Sequence, residues 1–577
     1  MAENYYRDNP DLRFHLMHVD LRDAVRLRER GYAEAAEFAE APESYEDALD
    51  SYDRVLDVVG ELCGEQIAPR ARDVDLHGAT FRAGTVCYAP GTERNLEDLR
   101  RAELSGVTLP RKYGGLNFPT TLYTMMMEMV SRADASLQNL VGLQDIGETI
   151  YRFGDEDQHR RYLPRFASGE VDGAMALTEP EAGSDLQAVQ MRAWQDESGQ
   201  WYLNGMKRFI TNGCARVHLV LARSEEGSKD GRGLSMFVCE SGPRLKVRRI
   251  EEKFGIHGSP TCELQFDDVP AELVGQRRRG LTRYVMSLMN GARVAISAQA
   301  VGIAEAAYRS GLLYARAREQ FGHTIDKFPA VYEMLVRSKV EIAASRALLY
   351  ETTRYVDLRD SYEHLVEHPE ESPGGEVTSE DRQKARLYSR IAAVLTPLSK
   401  AMSTEMANRV AYDSLQVHGG TGYMKDFNVE RFCRDARITN IYEGTTQLQH
   451  VAAIGGVVQR VLEPLMEELA HLPYEGKLRR LASSVDVARH KLNRAVKYVN
   501  DRKDGEYQDL MTRRLCNMET AVFVSYLLLR DALADKSREL LAERYILDVL
   551  PAVDMDCEVI TSGDYSLIDQ REEILAL

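Results

Sequence analysis

The chain has 577 residues, more than one hydrophobic core holds, and its 44% apolar and 28% charged composition is that of a soluble globular protein made of several packed units. Eight cysteines, sparse and irregularly placed, exclude a disulfide scaffold and a zinc knuckle, and a net charge of −17, from 73 Lys and Arg against 90 Asp and Glu, sets the surface against a phosphate backbone, so no nucleic acid partner is expected. Met1 to Pro10 contain no apolar signal segment, and the apolar run Ala521 to Leu529 is too short to span a bilayer; a reducing, soluble compartment, the cytoplasm, is expected.

Along the chain, an N-terminal extension (1–43) precedes a helical stretch (44–166) with heptad-like apolar positions in Tyr45 to Leu62 and Thr121 to Gly142 and no strand-rich run between them. The texture changes over 167–275. Met191–Trp194, Trp201–Leu203, Met206–Ile210, Val217–Arg223, Leu234–Val238 and Glu263–Phe266 are short runs between turn signals, and Asn204-Gly205 reads as a two-residue hairpin. A compact β domain follows from this pattern. Helical periodicity returns over 276–456, with Val331, Leu335, Ile342 and Leu349 on one face and Leu387, Ile391, Val394 and Leu398 on another, as in long antiparallel helices. Between them, Glu363 to Asp381 is rich in Glu, Pro and Gly and is expected to be an exposed, mobile loop. The remaining residues, 457–577, keep the helical texture in Lys477 to Asn500 and Met518 to Leu547, an appended helical domain. The fold class is mainly α with a central β domain.

Four segments carry chemistry. Ala176-Leu177-Thr178-Glu179-Pro180-Glu181-Ala182-Gly183-Ser184-Asp185 is a loop of small hydroxyl residues bracketed by Pro and Gly, able to bring backbone N–H groups and hydroxyls against a polar planar ligand, or simply a turn. Phe209-Ile210-Thr211-Asn212-Gly213 ends a strand with an aromatic, a hydroxyl and a turn. Ala315 to Gly322 places arginines at a helix end, where a guanidinium can fork onto a pyrophosphate or merely be solvated. In Tyr442-Glu443-Gly444-Thr445-Thr446-Gln447 the carboxylate is either a base or a cap for the next helix.

Taken together and in this order, from Ser44 to Gly456, these segments resemble the acyl-CoA dehydrogenase family, whose fold is an N-terminal helical domain, a β-barrel or sandwich and a C-terminal four-helix bundle. The resemblance implies FAD as cofactor, with Leu177, Thr178 and Ser184 along the isoalloxazine and pantetheine path and Phe209 and Thr211 against the flavin ring. The family commonly has Trp at the Phe209 position, so stacking survives and an indole hydrogen bond is lost. Arg318, with Gln320 and Phe321 beside it, would reach the FAD pyrophosphate of a neighbouring subunit, and Gln416, Gly419 and Gly420 match the Gln-x-x-Gly-Gly segment that clasps the dinucleotide; a homodimer or a dimer of dimers follows. His418 is read as a spacer in that segment, and Pro329 departs from the Gln often found there.

By the same resemblance Glu443 is the base that takes the α proton of an acyl-CoA thioester, Tyr442 and Gly444 flank the substrate, and Thr445 and Gln447 touch FAD. Hydride passes from Cβ to flavin N5, giving a trans-2-enoyl-CoA as in fatty acid β-oxidation, and the electrons go on to electron-transferring flavoprotein. Desolvation is expected to raise the pKa of the base. Some branches carry the glutamate earlier, where this chain has Ala292, so the short- and medium-chain arrangement applies. Asn290 and Arg293 lie where the family contacts CoA, or Arg293 only supports the fold, and the helix Ser136 to Gly142 lies where the family closes the pocket floor; at Gly142 some medium-chain members carry a bulkier polar residue, so the glycine implies either a deeper cavity or a helix-packing position. The N-terminal stretch, the acidic loop and the helical tail resemble the longer bacterial branch that includes 3-methylmercaptopropionyl-CoA dehydrogenases, leaving a short sulfur-containing acyl-CoA or a longer fatty acyl-CoA as substrate. An acyl-CoA oxidase would share base and flavin but release hydrogen peroxide. A DNA-associated alkylation-response flavoprotein needs a basic surface, and a non-catalytic scaffold would have lost the base.

Overall fold

A computed structural model describes residues 3–372 and 375–577. Its N-terminal part is a set of helices whose buried faces follow the apolar spacing: Ala48, Tyr52, Leu56 and Val59 point inward from the Tyr45–Glu61 helix, which opens on a Ser44 cap to Asp47 N. The uninterrupted helical reading of 44–166 needs one correction. Thr80–Arg82 (β1) and Thr85–Cys87 (β2) form a small antiparallel hairpin, too short and too exposed to leave a periodic signal.

The middle of the chain is a β unit of Gly173–Ala176 (β3), Arg192–Gln195 (β4), Trp201–Thr211 (β5), Val217–Arg223 (β6), Leu234–Glu240 (β7), Leu245–Ile250 (β8) and Thr261–Leu273 (β9). Neighbours run β6-β4-β5-β9-β7, and β7 pairs back to β6, so five strands close on themselves while β3 and β8 add at the edges. Closure removes the open edges that a sheet would otherwise expose. Asn204-Gly205 is no hairpin turn. It lies inside β5, where the register against β9 slips between Leu203 and Gly205, and Gly205 takes φ +146° with its α carbon against Met191, where an added Cβ would come within 3.2 Å of the Met191 Cα. Sheet pairing on both sides overrides the local turn preference and uses the glycine as a bulge.

Three long bundle helices follow: Met286–Ala317, Pro329–Glu367 and Ser379–His418, with the shorter Thr446–Val458 as the fourth. A small hairpin of Glu319–Gln320 (β10) and His323–Thr324 (β11) links the first two; its tip, Phe321-Gly322, has both φ angles positive, the geometry of a type I′ turn. Ile391, Val394 and Leu398 are buried as expected, but Leu387 is 49% exposed: at this level the third helix packs on the second through Ala385 and Tyr388, the latter against Tyr355 and Tyr362, and Leu387 lies off that face. The acidic loop is also shorter than expected: Glu363 to Glu367 continue the second helix and Ser379 to Asp381 already belong to the third, while Pro373 and Gly374 lie outside the described residues.

Beyond Val458, Gly476–Arg502, Gly505–Ala534 and Glu539–Ser562 pack on the bundle, and the apolar interior is continuous across the join. The β unit has a separate core. No helix among the described residues is long and apolar enough to cross a membrane, and all eight cysteines are free.

A buried ionic cluster ties the layers together. Arg346, fully buried on the second bundle helix, donates to Glu128 of the Thr120–Ala133 helix, to Glu305 of the first bundle helix and to Asp11 of the Pro10–His18 helix. Asp11 also accepts from Lys339 and, at 2.7 Å, from Arg538 of the appended domain. Burial alone would raise the Asp11 carboxyl, yet Arg346, Lys339 and Arg538 hold it well below the usual carboxylate range, and Glu305 is drawn down to about 2 against its own burial by Arg346 and Arg309. Such a cluster adds little over an apolar core, but removing one member leaves buried charge without a partner. Arg346→Met is therefore expected to cost about 3–5 kcal/mol in chemical denaturation. Both carboxyls are depressed in the folded state, so their stabilisation is present above the ordinary carboxylate range and is lost as pH falls towards 2. Denaturation of Arg346→Met at the wild-type midpoint would contradict this account.

Candidate active site

Two loops of the β unit are stitched to each other by one buried amine. The first leaves β3 at Leu177, and the second ends β5. Lys207, with no exposed side chain, donates from Nζ to Leu177 O at 2.7 Å and to Glu179 Oε1 at 2.9 Å. Burial draws its pKa down to about 8, with Glu179 opposing. Glu179 in turn accepts from the backbone N–H groups of Gln190 and Met191, and Arg208 N donates to Thr178 O. Next along β5 a second register slip against β9, between Lys207 and Ile210, coincides with φ +59° at Phe209. The bulge leaves the Phe209 ring 53% exposed at the edge of a cavity that Thr178 and Thr211 also line.

The opposite wall comes from the turn between the Val429–Thr439 and Thr446–Val458 helices. Here Glu443 has φ +53° and Gly444 φ +90°. A non-glycine residue in this region is strained by about 1 kcal/mol or more, so the surroundings must impose it. Lys400, buried in the third bundle helix, donates to Tyr442 O at 2.8 Å and also to Gly444 O, bracketing Glu443 from both sides. Gln449 Nε2 donates to Glu443 O and Gly444 O at 3.2 and 2.8 Å. Glu443 does not cap the following helix; Thr445 does, through Oγ1 and Leu448 N.

A cavity of about 170 Å³ separates the two walls. Glu443 lines it together with Tyr442, Gly444, Leu177, Thr178, Phe209, Thr211 and Gly142. Burial raises the Glu443 carboxyl above the ordinary glutamate range, and Lys400 and then Arg293 pull in the opposite direction. Lys400 itself is pushed down to about 7 by burial, with Glu443 opposing. Arg293 is 7% exposed, donates to Asn290 Oδ1 at 3.0 Å and leaves Nε without a partner; burial lowers its pKa, with Glu443 again opposing. One half-buried carboxylate beside two buried cations can exchange a proton with a ligand while staying oriented.

The other residues singled out in the sequence lie outside this cavity. Ser184 is exposed on the first loop, between the lining residues Gly183 and Leu186. Asn290 and Arg293 flank Ala292, which does line it, on the first bundle helix. Gln447 sits at a separate groove against the appended domain. Arg318, Gln320 and Phe321 are exposed where the first bundle helix ends, and Gln416, Gly419 and Gly420 are exposed where the third ends. These two ends are held side by side by His418, whose ring stacks on Tyr314 at 4.3 Å while Nδ1 meets Ser414 O at 2.7 Å.

Several site residues escaped sequence reading. Lys400 sits in a run with Leu398 and Ala401 on a buried face, and a lysine at a core position is the signal that would have found it. Asn139, Gln299 and Asp145 left no such signal. Tyr442 OH donates to Gln299 Oε1 and lies 3.1 Å from Asn139 Oδ1, so these buried amides fix the ring beside Glu443.

Comparison with known proteins gives a consistent picture. Family models described as acyl-CoA dehydrogenase N-terminal, middle and C-terminal domains match residues 50–170, 174–269 and 294–447, and a further acyl-CoA dehydrogenase C-terminal model matches 462–546. The chain is 34% identical over 449 residues, 73% of either protein, to 3-methylmercaptopropionyl-CoA dehydrogenase of Ruegeria pomeroyi. Butyryl-CoA dehydrogenase of Megasphaera elsdenii superposes with TM-score 0.59 at 28% identity, covering 70% of this chain and 98% of that one. An acyl-CoA dehydrogenase of Bacillus anthracis, complexed with FAD, superposes with TM-score 0.75 over 89% of this chain and 88% of its own; at 22% identity it speaks for the fold, appended helices included.

If the two lysines hold the two walls, Lys207→Met will speed hydrogen–deuterium exchange in 177–182, and Lys400→Met will do so in 442–449. Unchanged protection in both variants would show that the loops hold themselves.

Proposed function

This chain belongs to the acyl-CoA dehydrogenase family, and from that membership we propose that it oxidises an acyl-CoA to the trans-2-enoyl-CoA with Glu443 as the base. The observation that carries the reading is that Glu443, its carboxyl raised by burial, stands in the wall facing Phe209, Thr178 and Thr211. A thioester α C–H is a weak acid, so its removal needs a base that is ionised at working pH yet poorly solvated. Burial raises the Glu443 carboxyl, which strengthens it as a base, and Lys400 and then Arg293 favour its ionised form. The positive φ of Glu443 and Gly444 is kept by Lys400 and Gln449, so the carboxylate starts from one position. Tyr442, tied to Gln299 and Asn139, closes the wall next to it against water.

The residues present fit FAD in two pieces. On the cavity side, an uncovered Phe209 ring and the Thr178 and Thr211 side chains suit a planar ring system with polar edges. When bound, FAD supplies the acceptor for the hydride that leaves Cβ as the α proton goes to Glu443. The second piece is Arg318, Gln320 and Phe321 with Gln416, Gly419 and Gly420. An added Cβ at either Gly419 or Gly420 would meet no atom within 4 Å, and Phe321 is 93% exposed. This surface lies outside the chain's own cavity, which favours a homodimer in which each copy completes the dinucleotide site of the other. Electron-transferring flavoprotein is the proposed acceptor of the electrons. Among acyl groups, the R. pomeroyi relative makes 3-methylmercaptopropionyl-CoA the first to assay and a longer fatty acyl-CoA the second.

Glu443→Gln is expected to retain FAD by absorbance while dye-coupled turnover falls about 10²–10⁴-fold, the range of general base catalysis. In the wild type, kcat/KM should rise with pH through a limb above the ordinary glutamate range, and Lys400→Met, by removing the stronger of the two opposing charges, should move that limb to higher pH. Full turnover by Glu443→Gln would refute the assignment.

A further inference from the structure

The strand that carries Phe209 and Thr211 runs on into a turn that brings two thiols together. Cys214 follows the turn Asn212-Gly213, and Cys262 lies on β9, paired with Ile210. Gly213 is stacked on Cys262: an added Cβ there would stand 2.7 Å from Cys262 Cβ and 3.3 Å from its Sγ, so the glycine lets the next residue's thiol approach. The two thiols are hydrogen-bonded to each other. Cys262 is fully buried, while Cys214 is partly open to solvent, its Sγ 3.6 Å from Tyr88 Oη and from Asn212 Oδ1. The hydrogen bond with Cys262, with Tyr88 adding to it, holds the Cys214 thiol below the usual thiol range against burial; Cys262 is raised by the same bond and by burial. The pair therefore ionises at Cys214, an attacking thiol near solvent with a second thiol behind it.

Asn212 connects this pair to the cavity. It has φ +52°, donates from Nδ2 to Asp172 Oδ2 at 2.9 Å, accepts from the Tyr88 hydroxyl, and directly follows Thr211, which lines the cavity. We propose that Cys214 and Cys262 form a reversible disulfide when a hydroperoxide reaches them, and that this bond is a redox switch on the loop that holds FAD. The Cys214 thiolate attacks the peroxide oxygen, the O–O bond breaks, and the leaving oxygen takes up the proton that Cys214 released; Cys214 is left as a sulfenic acid. The Cys262 thiol then attacks that sulfur, the S–O bond breaks, and the hydroxyl departs with the Cys262 proton as water. The dithiol loses two electrons and the peroxide gains them. Disulfide sulfurs stand about 2.05 Å apart, well inside hydrogen-bond contact, so the new bond draws Cys214 towards β9 and off Tyr88 and Asn212. The cluster that fixes Asn212 loses a member, and Thr211 shifts with it. This inference rests on FAD binding against Phe209 and Thr211.

In the test, the FAD-loaded protein is treated with a small excess of hydrogen peroxide, its remaining thiols are blocked, and its peptides are mapped by mass spectrometry. FAD released from the same samples is measured in the filtrate after ultrafiltration. The wild type is expected to yield a Cys214–Cys262 cross-link that dithiothreitol removes, and to hold FAD about tenfold more weakly while cross-linked, the worth of one lost hydrogen bond. In Cys262→Ser the reaction is expected to stop at a sulfenic acid on Cys214, trapped by dimedone, with FAD held as in the untreated variant. Wild-type protein in which the two residues stay unlinked would overturn the switch. So would a cross-linked protein that holds FAD within about twofold of the reduced form. Reduced protein that binds no FAD would overturn the cofactor reading and the switch together.

Discussion

The cavity depends on a lysine that touches no ligand. Glu443 can work as a base only if its carboxylate is desolvated and held still, and the turn that holds it puts two successive residues at positive φ. Lys400 makes that turn the lowest state by donating to the carbonyls on either side of Glu443. Burying the amine is costly, as the fall of its pKa to about 7 reflects, but the loss is offset by two carbonyls and a nearby carboxylate. One group thus sets both the geometry of Glu443 and part of its electrostatics.

The opposite wall repeats the device. Lys207, lowered to about 8, joins Leu177 O and Glu179 and so couples the loop after β3 to the bulged end of β5. A lysine suits both places because three donors on a flexible stem can gather carbonyls from chain segments remote in sequence. Farther out, Arg346 performs a different task. Its planar fork collects carboxylates from three helices, and Asp11 passes the connection to Arg538, so the N-terminal extension and the appended domain are bound to the bundle through one cluster. Within the β unit, within the bundle, and between the bundle and both extensions, a buried cation joins segments remote in sequence.

Much of this was legible beforehand where local chemistry and long-range contact agree. The order of helices, β unit and helices followed from periodicity, and the turn containing Glu443 stood out by its motif. Where tertiary contact overrules local preference, the sequence misled. Asn204-Gly205 has turn chemistry, yet pairing with β4 and β9 keeps it in strand. Leu387 fits the apolar period of its helix, but Ala385 and Tyr388 make the contact with the second bundle helix and leave it facing outward. Residues whose meaning arises only from meeting others were hardest to see. Asn139, Gln299 and Tyr442 are unremarkable one by one, and only their hydrogen bonds to one another show that they fix the ring beside Glu443. The separation of Arg318 and Gly419 from the cavity is likewise a fact of three dimensions.

The central claim is that Glu443 removes the α proton, and it can be tested apart from oxidation. In (methylthio)acetyl-CoA sulfur occupies the β position, so no hydride can leave and only proton exchange at Cα remains. Incubated in D₂O and followed by mass spectrometry, the wild-type protein is expected to exchange the α hydrogens of this thioester, and Glu443→Gln to leave them at the rate of the buffer. Exchange by Glu443→Gln at the wild-type rate would contradict the account.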